Sequence, residues 1–162
     1  MSTALQSSPL PSRAALRSLV EDLVGRTVDL FDADPVSTAP SNLVAVYVTD
    51  QLTMTAVTVV DFAGAARIGG ALGMLPRGGV DDVLDEGQLS EMLRDNCYEV
   101  LNVLAATFNV AGAPHVRLYE MYGPNASLPS DVAQLANLVG SRLDVRLSIM
   151  GYGDAHVSVV VR

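Results

Sequence analysis

The hydrophobic pattern is sharpest between Asp85 and Asn109, DEGQLSEMLRDNCYEVLNVLAATFN. On a 3.6-residue period, Leu89, Met92, Leu93, Cys97, Val100, Leu101, Val103, Leu104 and Phe108 cover most of a helix circumference. Gln88, Glu91, Asp95, Glu99 and Asn102 fall in one narrow polar stripe. The stretch has no Pro and its single Gly, Gly87, lies near the start, so the pattern predicts one long, largely buried helix with one uncovered strip. The chain on either side of it reads as shorter elements. Ser12 caps a helix over Arg13–Val24 that Gly25 stops. Thr27–Phe31 alternates as a short strand. Leu43–Thr49 and Leu52–Val60 are β-branched runs around Asp50-Gln51, which predicts a hairpin.

Asp61 opens a small-residue helix from Phe62 to about Leu75, and Pro76-Arg77-Gly78-Gly79 reads as a break. Asp81, Asp82, Asp85 and Glu86 then form an acidic approach suited to the positive N-terminal end of the long helix. After it come a strand over His115–Tyr122 and a short helix from Ser130 to about Val139, with Gly140 as its stop. A second hairpin, Leu143–Met150 and Ala155–Val161, turns at Gly151-Tyr152-Gly153. Strands joined by hairpins, with helices between the runs, predict an α+β fold: an antiparallel-rich sheet packed by two or three helices.

Composition narrows the picture. The 162 residues are enough for one domain with a real core, expected over residues 12–162 behind a flexible Ser/Pro-rich tail at 1–11. A net charge of −8 argues against a nucleic-acid partner. No leader-type apolar segment stands at the N-terminus, and no apolar run reaches membrane-spanning length, so no membrane association is expected. Cys97 is the only cysteine, which fits a reduced cytoplasm. One Cys and two well-separated His, His115 and His156, are too few for a metal site.

The stripe carries the chemistry. Asp95, Glu99 and Asn102 form D-x3-E-x2-N, and Pro124 follows 22 positions after the Asn. This resembles the signature of the CheC/CheX/FliY family of bacterial chemotaxis phosphatases, in which Asp or Ser, then Glu, then Asn line one helix face and a Pro follows at about that distance. The order of elements from about Arg13 onward is similar to the single-motif CheX branch. The resemblance implies a CheX/CheC-like fold and hydrolysis of the aspartyl phosphate on a CheY-like response regulator, in chemotaxis or two-component signalling. It implies a sheet-mediated homodimer, and no cofactor beyond the Mg²⁺ that the regulator brings.

The resemblance also implies roles for the residues. Phosphoryl transfer gains mainly from positioning and electrostatics. A carboxamide can accept from one water hydrogen while donating elsewhere, so Asn102 is expected to hold the attacking water in line. Glu99, on the same face, can pair with the regulator's lysine. Asp95 and Glu91 are expected to contact the partner. In active relatives the residue before the Asn is usually Gly and small residues commonly follow, whereas here Leu101 precedes and Val103 and Leu104 follow. That departure frames the alternative, a non-catalytic CheX-like module that docks a regulator or other signalling protein. The two readings part on whether Leu101 obstructs the strip. A third reading is a relative of the flagellar switch protein FliM, whose middle domain is similar; it stands behind the other two because no further sheet-forming domain is read in the sequence.

Two other features have simpler explanations. Gly69-Gly70-Ala71-Leu72-Gly73 and Gly78-Gly79 match neither phosphate-binding fingerprint, and helix packing and turns account for them. Ser130, Gln134 and Asn137 echo the motif as S-x3-Q-x2-N, and CheC carries two copies, but Gln cannot pair ionically with a lysine and the echo is read as chance.

Overall fold

The computed structural model describes residues 7–162. Five helices and six strands follow in the order α1 (Arg13–Val24), β1 (Val28–Asp32), β2 (Leu43–Thr49), β3 (Met54–Val60), α2 (Phe62–Leu72), α3 (Arg77–Glu86), α4 (Glu91–Leu104), β4 (Val116–Tyr122), α5 (Ser130–Ala136), β5 (Arg142–Ile149) and β6 (Gly153–Val161). The strands form one sheet in the order β1-β5-β6-β3-β2-β4, antiparallel throughout. Both expected hairpins, β2–β3 and β5–β6, are present, and the pairing of β3 with β6 joins them at the centre. The fold is the α+β sheet with a helical layer that the pattern predicts.

The unbroken apolar runs of β2 and β3 follow from burial on both faces. Leu43, Ala45, Tyr47, Ala56 and Val60 meet the core beneath α1, α2 and α4. Val44, Val46, Val48, Val57 and Val59 meet Val132, Leu135 and Ala136 of α5 on the other face. A strand covered on both sides loses the polar alternation of a half-exposed one.

The single long helix is a correction. Gly87 takes a left-handed conformation (φ 71) and its N–H bonds to the Val83 and Leu84 carbonyls, which ends α3. Ser90 then accepts from Leu93 N at 3.2 Å and starts α4 afresh. Gln88 thus lies in the connection and outside the strip. Pro76-Arg77-Gly78-Gly79, expected as a break, instead begins α3, with Pro76 at its N-cap position. Asp81, Asp82, Asp85 and Glu86 therefore lie within α3, the last two in its C-terminal turn, where the helix dipole opposes them. At its far end α4 tightens into a 3-10 turn at Ala105–Thr107 and does not run on to Asn109. α5 also ends early, with Asn137 rather than Gly140 at its cap.

Of the tail expected over residues 1–11, residues 1–6 lie outside the described residues. Ser8 and Pro11 are buried, and the Ser8 hydroxyl donates to Thr55 Oγ1 at 2.8 Å, so the packed chain begins ahead of Ser12.

On the α5 side of the sheet, Arg142 grips Asp144 with two hydrogen bonds of 2.9 Å. Ser158 Oγ donates to Asp144 Oδ1 at 2.6 Å and accepts from Val36 N at 2.8 Å, which pins the β1–β2 connection onto the sheet. Burial raises the Asp144 pKa, but the hydrogen bonds from Arg142 and Ser158 and the Arg142 charge outweigh it, so the carboxyl sits below its ordinary value. A pKa lower in the folded than in the unfolded chain gives stability that is present above the unfolded pKa, about 4, and is lost as pH falls through the folded value. Urea unfolding at stepped pH is expected to show wild type losing stability below about pH 4, and Asp144→Asn losing less over the same range.

Candidate functional site

α4 is positioned by what lies on its buried side. Leu93, Cys97, Val100, Leu101 and Leu104 enter the core. Glu91, Asp95, Glu99 and Asn102 are exposed on the opposite side, within an arc of about 80° at 100° per residue. No ion pair among the described residues takes up Glu91, Asp95 or Glu99.

The residues flanking Asp95 hold the helix from both sides. Arg94 Nε donates to Gly123 O at 2.8 Å and its Nη2 to Met121 O at 2.6 Å. Asn96 Nδ2 donates to Gly69 O on α2 at 3.0 Å. The Arg94 bonds also bring the end of β4 to α4, with the cis Gly123–Pro124 peptide just beyond, so the Pro that follows the motif at long range in sequence belongs to a turn tied to the motif helix. Gly123 has φ 98, and a Cβ there would overlap the Asn42 carbonyl oxygen, so this turn requires glycine.

From beneath, Tyr47 of β2 donates its hydroxyl to Leu101 O at 2.7 Å, and its ring meets Phe108 edge-on at 5.0 Å. Burial pushes the Tyr47 phenol far above its ordinary pKa and keeps it a donor. The Ala105 N–H, the ordinary helical partner of that carbonyl, bonds instead to Asn102 and Val103 O as the helix tightens. Tyr47→Phe is therefore expected to leave a buried acceptor unmatched and cost about 1–3 kcal/mol in denaturant unfolding. Cys97 is fully buried, and burial pushes its thiol pKa up to about 12, so it is protonated at neutral pH and faces away from the strip.

Leu101 is 3% exposed and packs among Leu16, Leu19 and Val20 of α1 and Ile68 of α2. Leu104 is buried as well and Val103 is half-buried. The bulky residues around Asn102 thus serve the core and leave the strip open.

The remaining features of interest lie elsewhere. α5 sits on the opposite face of the sheet, so Ser130, Gln134 and Asn137 share no surface with Asp95, Glu99 and Asn102. The Asn137 amide donates to Ala133 O at 2.8 Å. His115 lies 3.7 Å from Asp50, and His156 lies 3.4 Å from Asp61. Among the described residues, no group of three or more His, Cys, Asp or Glu could hold a metal ion, and no helix is long and apolar enough to cross a membrane. The glycines of α2 do serve packing: a Cβ on Gly69 would overlap the Leu93 carbonyl oxygen, and one on Gly70 would overlap Val80.

An antiparallel six-stranded sheet with a helix laid across one face is an arrangement that comparison with solved structures also finds in other proteins. CheX from Borrelia burgdorferi, solved as a CheX-CheY-BeF3-Mg complex, is similar to this chain with a TM-score of 0.55 and 17% identity, over 91% of this chain and 92% of that one. FliY from Thermotoga maritima matches with a TM-score of 0.56 at 11% identity, over 90% and 82% of the two chains. The FliM middle domain from H. pylori matches with a TM-score of 0.56 at 13% identity, over 90% and 82%. No family model and no curated protein sequence matches the chain. The fold is that of the CheC/CheX/FliY group, as the helix motif implied.

Proposed function

We propose that the protein is a CheX-like phosphatase that hydrolyses the aspartyl phosphate of a CheY-like response regulator. The observation that carries this reading is the open strip on α4. Glu99 and Asn102 stand exposed on a helix that Arg94, Asn96 and Tyr47 hold from three sides, and Leu101 points into the core. Positioning chemistry needs that rigidity, because a misplaced carboxamide no longer aligns its water. The likeness to a CheX solved with CheY, beryllofluoride and magnesium supports a partner of the same kind.

In this reading Asn102 orients the attacking water and Glu99 pairs with the regulator's lysine. Asp95 and Glu91 contact the partner on the same face. The regulator supplies Mg²⁺ and the phosphoryl group, and the protein brings no cofactor of its own. It acts as a homodimer of single CheX-like domains in the cytoplasm. The alternative, a docking module without hydrolysis, had its motive in the bulk around Asn102, and the buried orientation of Leu101 withdraws the steric part of that motive.

The test is loss of phosphate from a phosphorylated regulator in buffer, with wild type, with Glu99→Ala and with Asn102→Ala. Acceleration by wild type that both variants lose is the expected result. A wild type that binds the regulator without accelerating the decay would overturn the enzymatic reading.

A further inference from the structure

On the α5 face of the sheet, opposite α4, an open groove of about 200 Å³ lies between β2, β4 and α5. Val46, Val48 and Met54 are buried beneath it, and Tyr119 and Tyr122 of β4 line it. Leu52 and Asp131, both exposed, complete it. Two departures from regular backbone bring side chains to this groove. Leu52 adopts a left-handed conformation (φ 63), which a bulky residue reaches only at a cost, and it is 58% exposed. On β4, Glu120 pairs with Val46 and Leu118 with Tyr47, so Tyr119 is the extra residue of a bulge, and it is 50% exposed. Bulges commonly re-aim a side chain in this way. Strain and exposure meeting at one groove point to a bound state that uses both.

The electrostatics select the occupant. Asp131 Oδ1 accepts from Val132 N at 2.9 Å and Glu120 Oε1 from Met121 N at 3.2 Å. Among the described residues neither carboxylate takes part in an ion pair. Burial raises the Tyr122 pKa, and Glu120, Tyr119 and Asp131 raise it further, so the groove wall sits in a negative field. Tyrosine ring faces attract cations. Arg117 lies 5.9 Å from the Tyr119 ring centre, at the outer limit of such a contact. An apolar floor with aromatic walls and an acidic side matches a long aliphatic stem that ends in a cation. The groove is smaller than the ~300–1,000 Å³ of sites that enclose a small molecule, and it suits one side chain held on a larger partner. A free amine would have to meet the whole cost of association from this one contact.

We propose that the groove is a docking site for a lysine or arginine side chain of a partner protein. Tyr119 and Tyr122 face the cation, Asp131 and Glu120 balance its charge, and Val46, Val48, Leu52 and Met54 take its stem. The site stands on the face of the sheet away from α4, so it holds whether or not the phosphatase reading does.

The test is an NMR titration of the isotope-labelled protein with the peptide acetyl-Ser-Val-Lys-Val-Ser-amide, with its arginine and norleucine counterparts, and with n-butylammonium. The lysine and arginine peptides are expected to give saturable shifts at the amides of Leu52, Tyr119 and Asp131. Norleucine keeps the stem and lacks the charge, and its Kd is expected to be about tenfold or more higher. The double variant Tyr119→Leu with Asp131→Asn is expected to lose as much affinity for the lysine peptide at an unchanged melting temperature, since Asn keeps the acceptor for Val132 N and both positions are exposed. Equal Kd for norleucine, groove amides that do not move, or a double variant that binds as wild type does would each overturn the proposal. Butylammonium binding as tightly as the lysine peptide would overturn the partner assignment in favour of a free organic cation. Shifts of the same amides with protein concentration alone would overturn it in favour of a second copy of this chain.

Discussion

If the protein is the proposed phosphatase, Asn102→Ala is expected to lower its stimulation of regulator dephosphorylation by about 10²–10³-fold, the usual loss when one preorganised polar group is removed from a transition state. The size follows from how little else the strip provides. His115 and His156 lie against Asp50 and Asp61 and are not among the strip residues, and Cys97 is buried, so none of the three stands beside Asn102 in the strip. With positioning as the mechanism, the group that positions carries most of the effect. Asn102 is exposed, so its truncation leaves the core intact. Wild-type and variant unfolding curves are expected to agree within about 0.5 kcal/mol, as surface substitutions ordinarily do. Single-turnover decay of the phosphorylated regulator at saturating phosphatase reads the chemical step directly. Near-wild-type rates in that assay would remove Asn102 from the role.

Gly69→Ala is expected to lower stability by about 1–3 kcal/mol, although it replaces glycine by the best helix former inside a helix. The two effects oppose one another. Propensity alone favours Ala by up to about 1 kcal/mol. Against it, the new methyl would overlap the Leu93 carbonyl oxygen and lie 3.1 Å from both the carbonyl carbon and the Cα of Leu93. These are backbone atoms, so no side-chain rotation relieves the contact, and α4 would have to move off α2. That displacement would also stretch the 3.0 Å bond from Asn96 to Gly69 O. Packing is therefore expected to win. Urea unfolding gives the sign, and a gain in stability would show that α4 yields at little cost. Because α4 carries Glu99 and Asn102, the proposed function further predicts that the same variant loses dephosphorylation activity beyond what its folded fraction explains.

The sheet and its hairpins were legible because apolar runs of the right length, bounded by turn residues, leave few other arrangements. The strip on α4 was legible because a 3.6-residue period separates Glu91, Asp95, Glu99 and Asn102 from the core positions. The break between α3 and α4 was missed for a definite reason. Helical periodicity continues across Gly87 to Ser90, and the two signals that interrupt it, a left-handed glycine and a serine cap, are each one residue wide. Pro76-Arg77-Gly78-Gly79 misled in the opposite sense, since a proline that cannot sit inside a helix is well tolerated at its start. Periodicity put Leu101 on the apolar side of the helix but could not say what it packs against. Those neighbours are set by α1 lying over α4, a contact that joins residues more than eighty positions apart.

The place of β6 in the sheet has a consequence for how the chain is made. β6 is the sixth of the six described strands in sequence, yet it lies between β5 and β3, with Val60 opposite Val157. During synthesis the β2–β3 hairpin and α4 emerge long before the strand that joins the two halves of the sheet. Until residue 161 has left the ribosome, β3 keeps an open, wholly buried-type edge without its partner. Closure of the sheet thus waits on a pairing of long sequence separation, which is slow to form and leaves the β3 edge open to mispairing in that interval.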